Sequence, residues 1–208
     1  MLTALVFAVV VAAGDKPAYY NLPRAGVRRI QCDVNPDWEP MIADLRNQST
    51  DAADTALRIL KQFRFVWTVE PEGSTILHND VKVENAQMRV EIVRTVDEFV
   101  GMVSGFTDIW KRFAFGAVSS RAGARWTVDA PGTHAEIRPR FTSTPAGLLM
   151  TGYDAASVAV ATNETTDVRA RIAYQSIRGA RVPAQLDLQG ASPGGPFHIR
   201  AAFTACGI

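Results

Sequence analysis

The apolar positions of this chain fall into two rhythms, and the change from one to the other is its main architectural signal. Val27–Val34 (VRRIQCDV) carries the β-branched residues of a short strand, and Asn35-Pro36-Asp37 reads as a turn that opens a helix. From there Trp38, Met41, Ile42 and Leu45 recur at helical spacing as far as the polar cluster Asn47–Thr50. Thr50 or Asp51 is then placed to cap a second helix bearing Ala53, Ala56, Leu57 and Leu60. Phe63, Phe65, Trp67 and Val69 alternate as a strand does, and Pro71-Glu72-Gly73 turns the chain back through Ser74–His78 as a hairpin. Met88, Val90 and Ile92 also alternate, but Ile92, Val96, Phe99, Val103, Phe106 and Trp110 step by four and three. Glu91, Arg94, Thr95 and Glu98 occupy the opposite arc. The longer pattern decides, and predicts a long amphipathic helix whose stripe docks on a sheet. Gly101 and Gly105 weaken it by about 1 kcal/mol each relative to Ala, so a break is expected near Gly105.

Beyond Phe115 the chain reads as strands to its end. Turn signals stand at Ala122-Gly123, Ala130-Pro131-Gly132, Thr144–Gly147 and Ser192–Pro196. Between them lie the candidate strands Trp126–Val128, His134–Ile137, Leu148–Thr151, Val158–Ala161, Val168–Ile177, Ala184–Gln189 and Phe197–Phe203. Helices first and antiparallel strands later define an α+β fold. No repeat or linker divides the chain, so residues 15–208 are expected to form a single domain.

Composition adds exclusions. At 208 residues, 47% apolar and 21% charged, the chain is an ordinary globular one, long enough to bury roughly 70% of its unfolded surface. With 22 basic against 21 acidic residues and no block of like charge, nothing drives counterion-releasing binding, so no nucleic-acid partner is expected. The apolar run Leu2–Ala13 is too short to span a bilayer and has the length of a signal-peptide core, so residues 1–14 are read as a signal peptide. No later stretch is apolar enough for a transmembrane segment. Export to the periplasm or the extracellular medium would place Cys32 and Cys206 where thiols pair, and the even count suggests one disulfide closing nearly the whole chain. The chain-entropy relation gives about 5 kcal/mol as an upper figure for such a bridge. The alternative is two separately buried free cysteines.

Tyr174-Gln-Ser-Ile-Arg-Gly179-Ala-Arg-Val-Pro183-Ala-Gln-Leu186, followed by a Gly-rich hairpin and an alternating last strand, resembles the end of periplasmic lipoprotein-carrier (LolA-like) domains. The resemblance covers about the last third of the chain. It implies a curved antiparallel sheet, a half-barrel, that wraps around helices and shelters an acyl chain. The opening Leu22-Pro23…Gly26…Cys32–Trp38 and the centre Gly105-Phe106…Trp110…Phe113 resemble instead a group of uncharacterised exported bacterial proteins. The long middle helix and the cysteine pair depart from the carriers, and no functional residue is carried over.

The signatures of common chemistry are missing from the sequence. It holds no Gly-x-Ser-x-Gly elbow, no dinucleotide or P-loop glycine pattern, no His-Glu-x-x-His and no Cys-x-x-Cys, so no catalytic residue, cofactor or metal is assigned. His78, His134 and His198 stand in separate segments and would make a metal or hydrolase site only by converging on a shared carboxylate in space. One feature stands out, an aromatic run of Phe106, Trp110, Phe113 and Phe115 beside Gly105. With Phe99 and Val103 on the helix and Phe65 and Trp67 on the sheet it forms the candidate lining of a site for a hydrophobic small molecule or lipid, or else an ordinary core. Three functions follow: a non-enzymatic exported domain binding a hydrophobic ligand between helix and sheet, an envelope or extracellular interaction module with a solid core, and a hydrolase or metal enzyme with a dispersed site.

Overall fold

The structure, a computed structural model, describes residues 19–116, 125–130 and 133–208. The apolar run Leu2–Ala13, with the expected leader, lies outside these residues, as do the turn at Ala122-Gly123 and most of Ala130-Pro131-Gly132. In chain order the described elements are β1 (Ile30–Asp37), α1 (Ala43–Gln48), α2 (Thr50–Leu60), β2 (Phe65–Val69), β3 (Ser74–His78), α3 (Ala86–Ala114), β4 (Trp126–Ala130), β5 (Thr133–Thr144), β6 (Gly147–Ala159), β7 (Thr165–Ile177), β8 (Ala180–Ser192) and β9 (Gly195–Gly207). The strands form one curved, open antiparallel sheet of nine in the order β3-β2-β1-β9-β8-β7-β6-β5-β4, and α3 packs on it: the α+β fold that the two rhythms predict.

On one side of the β1–β9 pairing stand β1, β2 and β3, with β1 and β2 joined through α1 and α2, and on the other β4 to β9 form a run of sequential hairpins. The two parts meet at the β1–β9 seam, which pairs the first strand of the sheet with the last. Ile30, Cys32 and Val34 of β1 face the core, as do Ile199, Ala201 and Phe203 of β9. Asp33 pairs with Thr204 and Gln31 with Gly207, so Ala205 and Cys206 together oppose the single residue Cys32. This is a β-bulge, with Ala205 in the left-handed region at φ 48°. In a regular ladder Cys206 would face outward opposite Gln31. The bulge absorbs one residue and brings it to Cys32, where the expected disulfide forms with the Cα atoms 4.1 Å apart.

Three expectations change. Asn35-Pro36-Asp37 is not a turn but the end of β1: Pro36 pairs with Ala201 and Asp37 with Arg200, while the Asn35 amide donates to the Thr204 hydroxyl at 2.8 Å. Helix formation waits for a 3-10 turn at Pro40–Ile42, because long-range pairing with β9 outweighs the local turn preference of the Asn-Pro-Asp triplet. Leu148–Thr151 and Val158–Ala159 are not separate strands but the two ends of β6, held continuous by pairing with β5 and β7, and Val160 and Ala161 lie in the turn that follows. The helix is not broken at Gly105. Both Gly101 and Gly105 lie on its exposed side, so the buried stripe runs on through Phe106, Trp110 and Phe113 and outweighs the intrinsic cost of two glycines.

Helix α3 starts where the Asn85 side chain accepts from the Met88 amide at 2.9 Å, and at 29 residues it spans about 43 Å. Its buried face carries the six-residue stripe read from the sequence, Ile92, Val96, Phe99, Val103, Phe106 and Trp110, with Phe113, Ala114, Thr107 and Thr95 added. Thr95, expected on the opposite arc, turns inward because its hydroxyl is satisfied by the Glu91 carbonyl of its own helix. Helix α2 starts instead with Ser49, whose hydroxyl accepts from the Ala52 amide at 3.3 Å, one position before the residues expected to cap it.

Candidate functional site

The seven residues proposed from the sequence as a pocket lining all lie in the interior, each 5% exposed or less. Phe65 meets Phe99 edge-on with ring centres 5.0 Å apart, Trp67 lies 5.6 Å from Trp110 and 4.8 Å from Phe203, and Phe113 reaches Phe141 at 5.5 Å. Two buried polar relays tie this cluster across the layers. The Trp67 indole donates to the Thr107 hydroxyl at 2.9 Å, which donates to the Val103 carbonyl at 2.7 Å. The Trp110 indole donates to the Tyr174 hydroxyl at 2.9 Å, which donates to the Met150 carbonyl at 2.6 Å. Satisfied buried donors of this kind hold a core in one arrangement. Burial also pushes the Tyr174 phenol up, against the lowering influence of the Trp110 bond, and burial alone pushes the Tyr153 phenol up.

A cavity of about 580 Å³ opens between the N-terminal half of α3, the α1–α2 pair and the β8–β9 hairpin, and it touches none of those seven residues. The 3-10 turn and α1 contribute Met41, Ile42 and Leu45 to its wall, and α2 contributes Ala56 and Leu60. Ile92 and Met102 of α3 and Phe197 and Ile199 of β9 complete the apolar surface. All but Met102 were legible in the sequence as part of an apolar face of a helix or strand. What the sequence did not show is that α1 and α2 stand off from α3 enough to leave a cleft. Its mouth is polar, with Asp44 on α1 and Glu91, Arg94 and Glu98 on α3. The Arg94 guanidinium donates to the Glu91 carboxylate at 2.6 Å, and the Thr95 hydroxyl donates back to the Glu91 carbonyl at 2.8 Å. A volume in the range of small-ligand pockets, apolar walls and a few polar groups at the opening are the features of a small-molecule cleft.

The outer face of the sheet is a lattice of opposite charges. Asp154 of β6 accepts from Arg140 of β5 and from Arg169 of β7, the latter at 3.0 Å. Partial burial would raise its carboxyl, but the two guanidinium groups hold it below the usual carboxylate range. Glu136 is held low mainly by its hydrogen bond from Arg138, with Arg125 and His134 adding attraction. A second hollow of about 580 Å³, bordered by Arg138, Asp154, Asp167, Arg169 and Gln189, lies against this lattice. The histidines are distributed along the sheet rather than gathered: His78 on β3 beside the Asn79 carbonyl, His198 on β9 at 3.2 Å from Asp187, and His134 on β5. Two strands, β2 and β1, lie between β3 and β9, and three, β8, β7 and β6, lie between β9 and β5. Among the described residues no group of three His, Cys, Asp or Glu side chains is arranged to hold a metal ion, and no helix is long and apolar enough to cross a membrane.

An open antiparallel sheet with a long helix on its concave face, stapled by a disulfide and bearing a cleft under its helices, defines the class of domain. Comparison with protein-family models, with curated proteins and with solved structures found no match.

Proposed function

We propose that this is a non-enzymatic exported domain that holds the apolar part of a small molecule in the cleft between α1–α2, α3 and the β8–β9 hairpin. One observation carries the reading: the cavity of about 580 Å³ walled by Met41, Leu45, Leu60, Ile92, Met102 and Ile199. Binding there draws on apolar burial, at roughly 25 cal/mol for each Å² removed from water. Two flexible methionines in the wall suit chains of varied shape. The Cys32–Cys206 disulfide supports residence in an oxidising compartment, periplasmic or extracellular. The resemblance of Tyr174–Leu186 to lipoprotein carriers points to the same kind of ligand.

Native mass spectrometry of protein purified from its own host tests the reading, together with titration by the neutral polarity-sensitive dye Nile red. Bound apolar adducts and saturable fluorescence, both abolished in a folded Met102→Trp variant that fills the cleft, are the expected results. Ligand-free protein with no dye response overturns the proposal.

A second reading, a protein-interaction module, is favoured by one specific feature. Edge strand β3 lies beside α3 and leaves Leu77 66% exposed, while α3 exposes Val90 at 64% and Val93 at 50%. An open edge with apolar neighbours accepts an added strand. Pull-down with Leu77→Lys as the negative control distinguishes this reading.

A further inference from the structure

The cleft is graded along its depth. Ile42, Leu60, Ile92 and Ile199 are buried in its wall, whereas the charged groups lie at its mouth. Those groups are Asp44, Glu91 and Glu98 against the single guanidinium of Arg94, which is already bonded to Glu91 at 2.6 Å. His198 also borders the cleft, and its ring lies against Asp187 at 3.2 Å and Gln189 at 3.2 Å on the outer face. That leaves Asp44 and Glu98 without a cationic partner among the described residues, on two different helices that border the same opening. We infer that the cleft takes an amphiphile with one aliphatic chain and a positively charged head group, the chain lying between α2, α3 and β9 and the head seated against Asp44 and Glu98. This inference rests on the cleft reading above.

The argument is one of complementarity. An anionic head at this mouth meets two uncompensated carboxylates and finds its only counter-charge already engaged, a like-charge juxtaposition that selects against it. A cationic head supplies the missing partner to each carboxylate. Both carboxylates are solvent-exposed, so each pairing contributes modestly, roughly two- to fivefold in affinity, and is weakened by salt. The chain supplies most of the affinity and the mouth supplies the preference.

Isothermal titration of the full-length, disulfide-bonded protein with three dodecyl amphiphiles below their micellisation thresholds separates the possibilities: dodecyltrimethylammonium, dodecyl sulfate and the neutral dodecyl maltoside. The expected result is binding of all three, with the ammonium about tenfold tighter than the sulfate at low ionic strength and the gap narrowing as salt is added. In the Asp44→Asn/Glu98→Gln double variant the gap closes while the maltoside affinity stays the same. Equal or tighter binding of dodecyl sulfate, or a gap that survives the double variant, overturns the head-group inference and leaves the cleft reading standing. No binding of any of the three, or affinities that Met102→Trp leaves unchanged, overturns the cleft reading itself.

Discussion

Replacing Tyr174 by Phe removes one oxygen atom from the relay that joins α3 to the sheet, and its cost follows from what that atom does. The Tyr174 side chain is half-buried, but its hydroxyl faces inward, accepting from the Trp110 indole and donating to the Met150 carbonyl. Trp110 is 2% exposed, so its N–H has no access to water once the acceptor is gone. An orphaned buried donor costs about 1–3 kcal/mol, and loss of the bond to Met150 adds about 1 kcal/mol, for a total of about 2–4 kcal/mol. In a chain of this size that lowers Tm by about 5–15 °C. Tyr19→Phe is the natural control. The Tyr19 hydroxyl is buried with no hydrogen-bond partner among the described residues, so the same chemical change there is neutral or slightly stabilising. Urea unfolding of both variants, followed by far-ultraviolet circular dichroism, makes the comparison. A double-mutant cycle of Tyr174→Phe with Trp110→Phe should recover about 1–2 kcal/mol, because removing the indole removes the orphan. A Tyr174→Phe loss under about 0.5 kcal/mol, or one equal to that of Tyr19→Phe, would refute the relay.

Two further outcomes follow from single positions. Ala205, exposed and at φ 48° in the bulge beside the disulfide, bears the steric cost of a left-handed L-residue. Ala205→Gly should therefore gain about 0.5–1 kcal/mol after the entropy of the unfolded glycine is counted, and Ala205→Val should lose at least about 1 kcal/mol, both read by urea titration of oxidised protein. The phenols of Tyr153 and Tyr174 are raised above their unfolded value by burial, so above pH 10 the unfolded chain gives up protons that the folded one keeps. Stability is then unaffected below that pH and falls above it by about 1.4 kcal/mol per pH unit for each tyrosine. Alkaline unfolding curves should show the slope, and Tyr153→Phe should remove half of it.

The parts of this fold governed by a long, uninterrupted periodicity were legible in the sequence. The stripe from Ile92 to Trp110 named the buried face of α3, the alternation from Phe197 to Phe203 named the inward face of β9, and the cysteine count named the staple. The parts decided by distant partners were not. Pro36 belongs to a strand because Ala201 lies opposite it, and β6 is continuous because β5 pairs along its whole length and β7 along Gly152–Val158, neither of which local composition records. The cleft was hidden for a related reason. Its walls come from residues 40–45, 56–60, 91–102 and 192–199, and within each stretch a wall residue and a core residue carry the same side chains. The aromatics drew notice because they are large, yet size made them fill space: Trp67 and Trp110 are held by hydrogen bonds to Thr107 and Tyr174 within the packed interior.

The seam between β1 and β9 also governs how this molecule bears load. The covalent link ties the first strand of the sheet to the last, spanning 174 positions of sequence. Tension that reaches β1 and β9 is carried across the sulfur–sulfur bond, so the chain between Cys32 and Cys206, with its helices, cleft and remaining strands, cannot be drawn out while the bond is intact. Reduction turns a shielded body into one that tears open down its middle.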